Sequence, residues 1–304
     1  MSSTRTVVVS VVIPIFNDAD RLRVCLSALS RQSYPPDLYE VIVVDNGSMD
    51  DVAAVTESFQ FCRYCRETKI GSYAARNCGV RLARGNILAF TDADCIPDPG
   101  WLEHGVTELT RRNTIGIVGG NISVCFRNAS HPSLAELVQQ FTGSYRQKWH
   151  MLSEDHCALT ANLFTYRHVF EHVGPFADEM LSCGDKEWGK RVFKAGYELV
   201  YGETAIVQHP ARETIRELLV KTRRVTGGEM ALLQKLKPRT ATGDFAYGVI
   251  RNLKVASCVC VTVWRDSRFA AGQKVAIVVG VVLINGTAIT ERIRLLCGGA
   301  PRRR

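Results

Sequence analysis

Two aspartates set two residues apart, Asp92 and Asp94, stand at the end of an apolar run in the stretch GNILAFTDADCIP. In a strand, residues i and i+2 point to the same side, so both carboxylates can aim into one crevice. Burying a carboxylate without a partner is costly. The basic residues upstream are Arg76, Arg81 and Arg84, and none lies nearer. The missing positive charge therefore reads as a divalent cation, which takes oxygen ligands and still binds substrate phosphates. The plain alternative is a helix cap followed by a turn, because DADCIPDPG is rich in turn formers. The two aspartates alone do not decide between these.

The elements that must position them follow from the hydrophobic pattern. VVVSVVIPIF reads as a buried strand, and DADRLRVCLSALSRQ as a helix with Leu22, Leu26 and Leu29 on one face, ended by Pro35 and Pro36. YEVIVVDNGSMDD is a second strand running into an Asn-Gly turn, with Ser48 or Asp50 able to cap the next helix. GSYAARNCGVRLARG reads as a helix closed by Gly85, and NILAFTDAD as another strand. This alternation argues for a mostly parallel sheet with helices on both faces. Ligands of such sheets sit beyond the carboxyl ends of the strands, where Asn17, Asp45, Asn46, Asp92 and Asp94 all fall. Further on, TIGIVGGNISV is a strand, PSLAELVQQFTGSYRQKW a helix, and CALTANLFTYRHVFEHVG a strand leading into a helix. SCGDKEWGKRVFKAGYELVY puts Asp185 at a helix start with Trp188, Val192 and Phe193 on the apolar face, and TAIVQH brings a short strand to His209. No linker separates independent domains.

The chain has 304 residues and a formal net charge of +8. The charge is uneven: eight Lys or Arg stand against three Glu between Arg212 and Arg239, and the sequence closes on Arg302, Arg303 and Arg304. That balance favours anionic partners such as nucleotide phosphates or anionic lipid, although a solvated basic face accounts for any single charge as well. The eleven cysteines are odd in number and lack framework spacing, so they read as reduced thiols in a reducing compartment, with Cys62 and Cys65 structural. The N-terminal TRTVVVSVVIPIF lacks a signal-peptide cleavage site. VAIVVGVVLI, residues 275–284, is ten residues long, too short for a bilayer span of about 20. It fits either a buried core segment, helix or strand, or a segment dipping into a membrane surface edged by Lys274, Arg292 and Arg294.

VVIPIFNDADRLRVCLSALSRQSYP, EVIVVDNGSMDD, AARNCGVRLARGNILAFTDADCIPDPGWL and SCGDKEWGKRVFKAGYELVY occur in this order. Together they resemble the family 2 glycosyltransferases, which have the GT-A fold. The resemblance covers residues 8 to about 215, TANLFTYRHVFEHVGPFADEML being similar to the segment before the family's catalytic acid, and it stops being informative beyond about residue 230. It implies an α/β fold of GT-A type: a mostly parallel, Rossmann-like sheet flanked by helices, with a mixed C-terminal half. It also implies a catalytic domain over residues 1–230, with a donor half at about 1–115 and an acceptor half at about 116–230. Residues 231–304 then form a basic and apolar extension.

By the same resemblance, Pro14, Phe16 and Asn17 cup the nucleotide base and Asp45 bonds a uracil ring, with Asn46 beside it. Arg76 and Asn77 lie close to the donor. Asp92 contacts ribose or metal, Asp94 ligates the metal, and His209 matches a position that often supplies a metal ligand. Asp185 is the general base, although Gly184 stands where many relatives have the Glu of Gly-Glu-Asp. Glu187 and Trp188 shape the acceptor pocket, and Arg223 and Arg224 add diphosphate contacts. Read on the residues alone, Asp45 is a turn former, Asp185 an N-cap, Trp188 core, His209 structural, and the two arginines a basic surface. The implied activity is inverting transfer of a sugar from a UDP-sugar to a hydroxyl of a lipid-linked or surface glycan. Mn2+ or Mg2+ would be the cofactor and an anionic membrane surface a further partner, with no nucleic acid. The location would be the cytoplasm or the cytoplasmic face of a membrane. Three rivals stand beside it. A nucleotidyltransferase would need a Gly-rich basic loop after the first strand, which PIFNDADRL lacks. A haloacid-dehalogenase phosphatase would carry D-x-D on the first strand and Thr or Val where Ile96 stands. A non-catalytic glycosyltransferase-like partner is hinted at only by Gly184.

Overall fold

The computed structural model describes residues 8–142, 147–153, 156–236 and 241–302. Arg239, Arg303, Arg304 and residues 143–146 of the expected GSYR helix segment lie outside them. Strands and helices alternate at first: β1 (Val9–Ile15), α1 (Ala19–Leu29), β2 (Tyr39–Asp45), α2 (Val52–Glu57), β3 (Cys62–Arg66), α3 (Ser72–Leu82) and β4 (Ile87–Thr91). Next come β5 (Ile96–Pro97), α4 (Trp101–Thr110), β6 (Ile115–Cys125), α5 (Leu134–Thr142), α6 (Gln147–Leu152), β7 (Asn162–Tyr166), α7 (Arg167–Val173), α8 (Gly184–Lys194) and β8 (Glu198–Pro210). Three long helices complete the chain, α9 (Ile215–Leu236), α10 (Ala241–Arg265) and α11 (Ala271–Leu296).

The strands form one sheet in the order β3-β2-β1-β4-β7-β6-β8-β5. β1 pairs in parallel with both β2 and β4, and β3 extends β2 in parallel. β7 then runs antiparallel to β4 and β6, and β5 antiparallel to β8. The N-terminal half is thus parallel and the other half mixed, as the GT-A fold requires. All seven residues of β2 are buried, the pattern of a strand covered on both faces. Because β1 has β2 on one side and β4 on the other, the strand order reverses around it, and a crevice opens beyond the carboxyl ends there.

The described residues of Met1–Ser123, Tyr145–Glu179 and Gly184–His209 make one compact unit, and those of Val124–Ser144, Met180–Cys183 and Pro210–Arg304 a second. The C-terminal helices thus group with residues from Pro210 onward and with α5, not only from 231, because α9 and α5 share their apolar faces with α10 and α11. Its core joins Val138 and Phe141 of α5, Leu218 of α9, Val259 and Val263 of α10, and Ile277 and Val281 of α11. A charged cluster ties the other end of these helices: Glu229 accepts from Arg292, which is 1% exposed, at 2.9 Å, and also pairs with Arg251.

Residues 275–284, expected as a ten-residue piece, lie inside α11, which runs for 26 residues. The helix continues because no proline interrupts the flanks, and Gln273, Lys274, Ala288, Glu291, Arg292 and Arg294 are residues a helix accepts readily. Two helical stretches, Phe245–Arg265 and Ala271–Leu296, are long and apolar enough to cross a membrane. Two smaller expectations also change. Asp51, not Ser48 or Asp50, caps α2 by accepting from Ala54 N at 3.1 Å. Phe193 turns half outward to stack on the His156 ring at 3.8 Å instead of joining the core.

The donor half rests on a buried carboxylate. Glu40 is 3% exposed on β2, and its Oε1 accepts from Ser10 Oγ and Arg84 N, each at 2.7 Å. Its Oε2 accepts from Arg84 Nε at 2.9 Å and Arg63 Nη1 at 3.3 Å. Burial pushes this carboxyl up, but the Ser10 and Arg84 hydrogen bonds and the Arg84 charge outweigh it, so the group lies below its ordinary value. Gly85 follows Arg84 because a Cβ there would fall 2.7 Å from Ser10 N and 2.8 Å from Val8 O. Replacing Glu40 with Gln keeps the shape but sets an amide against Arg84, and about 2 kcal/mol of stability should be lost near neutral pH. A folded-state value below the unfolded one contributes stability that is full above the unfolded pKa of about 4.3 and fades as pH falls through the folded value. Urea denaturation should show the gap between wild type and Glu40→Gln at pH 7 narrowing below about pH 4.

Candidate active site

The loops at the carboxyl edge are knitted to one another by side chains. Asn17, two residues beyond β1, has φ +52°, a left-handed conformation that asparagine tolerates. Its N–H donates to Ser48 Oγ at 2.9 Å and its Oδ1 accepts from Met49 N at 2.8 Å. Asp50 reaches across to Ala19 N at 2.8 Å, at the start of α1. The two residues expected to cap α2 thus join the loop after β2 to the loop after β1. Asn46 does the same toward α3: its Nδ2 donates to Glu67 O and Lys69 O, and its Oδ1 accepts from Gly71 N. Asn46 is therefore an anchor of the loop. Pro14, in β1 opposite Val44, and Phe16 just beyond β1 stand half-buried on the same edge.

Asp45 closes β2 and is 3% exposed. Its Oδ1 accepts from Ser48 N at 2.8 Å and its Oδ2 from the Tyr64 hydroxyl at 3.0 Å, with Arg66 Nε at 3.9 Å. Burial raises its pKa, but the hydrogen bonds from Ser48 and Tyr64 and the Arg66 charge lower it more, and it lies below the ordinary value. It is an ionised acceptor, and a carboxylate has lone pairs beyond the two used here.

The charge that compensates Asp92 is on the protein. Arg76, 3% exposed on α3, pairs through Nη2 with Asp92 Oδ1. Spacing alone does not select Arg76 from the three upstream arginines, because α3 and the end of β4 are brought together only by the fold. Asp92 is one third exposed, so its remaining oxygen is open to the crevice. Asp94 has a different neighbour: His209, at the end of β8, places Nε2 3.7 Å from Asp94 Oδ1. Asp94, Cys95 and His209 offer ligand atoms within 4.8 Å of one another. Cys95 is fully buried, and desolvation and the two nearby carboxylates push its thiol well up. A carboxylate and an imidazole together suit Mn2+ or a similar divalent ion. The Asp94 carboxylate and the His209 imidazole are placed so that they could hold the expected divalent cation together.

Asp185 is the second residue of α8 and 9% exposed. The Tyr73 hydroxyl donates to its Oδ1 at 3.1 Å, and Lys186 N donates to the same oxygen at 2.9 Å. The Tyr73 ring in turn carries the Arg76 guanidinium 5.5 Å from its centroid. Contacts therefore run unbroken from Asp92 through Arg76 and Tyr73 to Asp185. Asn77 does not face the crevice but clasps the segment before α8: it donates to Phe176 O at 2.9 Å and accepts from Phe176 N at 3.1 Å. Phe176 is buried against Tyr73, Phe90, Phe170 and Trp188.

Two expected acceptor residues are committed elsewhere. Trp188 is fully buried in that aromatic cluster, and its Nε1 donates to Gly174 O at 2.9 Å. Glu187 is 3% exposed and holds Arg191 through both oxygens, at 2.9–3.1 Å. Arg191 in turn donates to Val173 O and Pro175 O, so the pair braces the loop before α8. An apolar stripe and an i,i+4 ion pair explain both better than a substrate surface does. Arg223 and Arg224 lie on α9 in the second unit, where Arg224 Nη1 contacts Leu181 O at 3.4 Å.

Residues 10–172 match the family described as "Glycosyl transferase family 2". The glycosyltransferase AglE of Haloferax volcanii is 40% identical over 227 residues, 73% of this chain and 73% of that protein. The chondroitin synthase of Pasteurella multocida is 27% identical over 250 residues, 68% of this chain but 26% of that longer protein. Among solved structures, the mannosyltransferase PcManGT of Pyrobaculum calidifontis, in complex with GDP-Man and Mn2+, superposes with a TM-score of 0.62. It is 17% identical, over 96% of this chain and 88% of that one, so the likeness concerns the fold. With the family matched over more than half of the sequence and the acids assembled at the sheet's carboxyl edge, the chain belongs to the family 2 glycosyltransferases, enzymes of the GT-A fold.

Proposed function

We propose that this glycosyltransferase moves a sugar, with inversion, from a UDP-sugar to the hydroxyl of a lipid-linked or surface glycan. The observation that carries the reading is the meeting of Asp94 with His209, beside the Arg76–Asp92 pair, at the edge where the nucleotide loops converge. Asp45, ionised and fixed, accepts a ring N–H of the base. Uracil offers one, and so does guanine; the GDP-Man in the mannosyltransferase complex makes a GDP-sugar the second reading. Arg76 holds Asp92 in place, and Asp92 keeps one oxygen for the donor. Asp94 and His209 would hold the divalent ion, which when bound supplies the positive charge that stabilises the diphosphate leaving group. Asp185 accepts the proton of the acceptor hydroxyl as that oxygen forms its bond to the anomeric carbon and the bond to the diphosphate oxygen breaks. Asp185 suits this role because Oδ2 receives no hydrogen bond among the described residues.

The C-terminal helices support a membrane location. Along α10 and α11, Leu253, Val261, Trp264, Val275, Val279, Val282 and Leu283 are each about half exposed. Lys274, Arg265 and Arg268 border this face, the pattern of a segment that enters a bilayer carrying anionic lipid. We place the enzyme at the cytoplasmic side, where its eleven free cysteines remain reduced.

Three measurements check these statements. In a thermal-shift panel of UDP- and GDP-sugars, one donor should raise Tm by several degrees, and more so with Mn2+. Asp94→Ala should erase the Mn2+ increment, and an increment equal to wild type would overturn the ligand assignment. If no nucleotide sugar shifts Tm, the donor reading fails. Asp185→Asn should keep donor affinity and lose about 10²- to 10⁴-fold in kcat. In flotation with anionic-lipid vesicles, the full chain should rise with the lipid. A variant with Trp264, Val279 and Leu283 all changed to Glu should stay behind while remaining folded. Wild type left at the bottom at low salt would exclude membrane binding.

A further inference from the structure

Gly184 departs from the family's acidic pattern, and the structure fills its place with a ring. A Cβ at Gly184 would lie 2.7 Å from Tyr73 Cε2, 2.8 Å from Cδ2 and 3.0 Å from Cγ, so no side chain at 184 is compatible with the phenol where it stands. The ring is 5% exposed and lies against Phe176, with ring centroids 5.6 Å apart. Held in this way, its hydroxyl reaches Asp185 Oδ1 at 3.1 Å while its face carries Arg76, the partner of Asp92.

We propose that Tyr73 is a positioning residue for the transfer step: its phenol fixes one oxygen of Asp185 so that the other is presented to the acceptor hydroxyl, and glycine is needed at 184 to admit it. The proposal rests on the reading of Asp185 as the base. Tyr73 touches neither donor nor acceptor in this scheme and acts only through Asp185. The Arg76 contact makes the same ring a common support for the donor-side ion pair and the base. A carboxylate free to rotate about its side-chain torsions would present its accepting oxygen only part of the time, and small misplacements of a reacting group cost up to about 10²-fold in rate.

The test uses the full-length enzyme with Mn2+, a polyprenyl-phosphate-linked glycan as acceptor, and the nucleotide sugar that wild type consumes; nucleoside diphosphate release is measured. Tyr73→Phe keeps the ring against Gly184, Phe176 and Arg76 and removes only the hydroxyl. It should lower kcat by about 10- to 100-fold while the donor KM stays within about twofold. Adding Tyr73→Phe to Asp185→Asn should cost nothing further, because the phenol acts through the carboxylate. Gly184→Ala, which displaces the ring, should reproduce the kcat loss and serves if Tyr73→Phe proves unstable. Asp185→Asn with wild-type turnover would overturn the base reading and this proposal with it. An inactive Asp185→Asn beside a Tyr73→Phe within twofold of wild type would overturn the role of Tyr73 alone. A loss that multiplies in the double variant would also overturn it, since the phenol would then act elsewhere.

Discussion

The ion pair between Arg76 and Asp92 is the constraint on which the site depends. Three carboxylates end strands or follow them at one edge of the sheet, and like charges so placed repel and resist desolvation. Arg76 answers this from α3 while it is itself nearly inaccessible, so it is a fixed counter-charge. Removing either partner of such a pair would leave the other charge poorly compensated, which costs far more than the pair contributes. With Asp92 matched by Arg76, Asp94 lies beside His209, its Oδ1 3.7 Å from Nε2. One carboxylate thus faces an arginine and the other an imidazole.

Much of this was legible in the sequence and some was not, for definite reasons. Runs of Val and Ile bounded by Asn-Gly or Asp-rich turns identify β1, β2 and β4, and the alternation with helices fixes the crevice. The acids at strand ends follow from that placement directly. Their partners do not. Arg76 is one of three arginines upstream of Asp92, and only the packing of α3 against the sheet selects it. Asp50 and Ser48 were legible as caps because their types suit capping, yet tertiary contacts redirect them to Ala19 and Asn17. Trp188 falls on the apolar face of α8 by periodicity, and that simple reading describes its position better than a role in recognition does.

The C-terminal third shows a different limit. Hydropathy found the ten apolar residues inside α11, but helix length is decided by the proline-free, mostly polar residues on either side, which carry no hydrophobic signal. The buried Arg292 is also invisible to pattern. It lies on Gly248, where a Cβ would fall 2.5 Å from its Cζ, and it needs Glu229 from a third helix as its counter-charge. An arginine so placed fixes the register of α9, α10 and α11 at one end, while the apolar contacts of α5 fix the other. Specific polar contacts of this kind determine which apolar faces are turned inward and which remain uncovered.

Beneath Asp92 and Asp94 the chain places two thiols. Cys25, fully buried on α1, lies with Sγ 3.8 Å from Asp92 O, and Cys95 occupies the turn after Asp94. Burial first, and then the two aspartates, push both thiols up, so they stay protonated next to the carboxylates. A third acid at either position would have to ionise against two existing charges with no counter-ion left. A lysine would pair with Asp94 in competition with His209. A thiol avoids both costs: it packs as a small hydrophobe and can donate weakly to a backbone carbonyl. The neutral floor therefore belongs to the same electrostatic design as Arg76. Asp92 faces Arg76 and Asp94 faces His209, while the two positions beneath them carry neutral thiols.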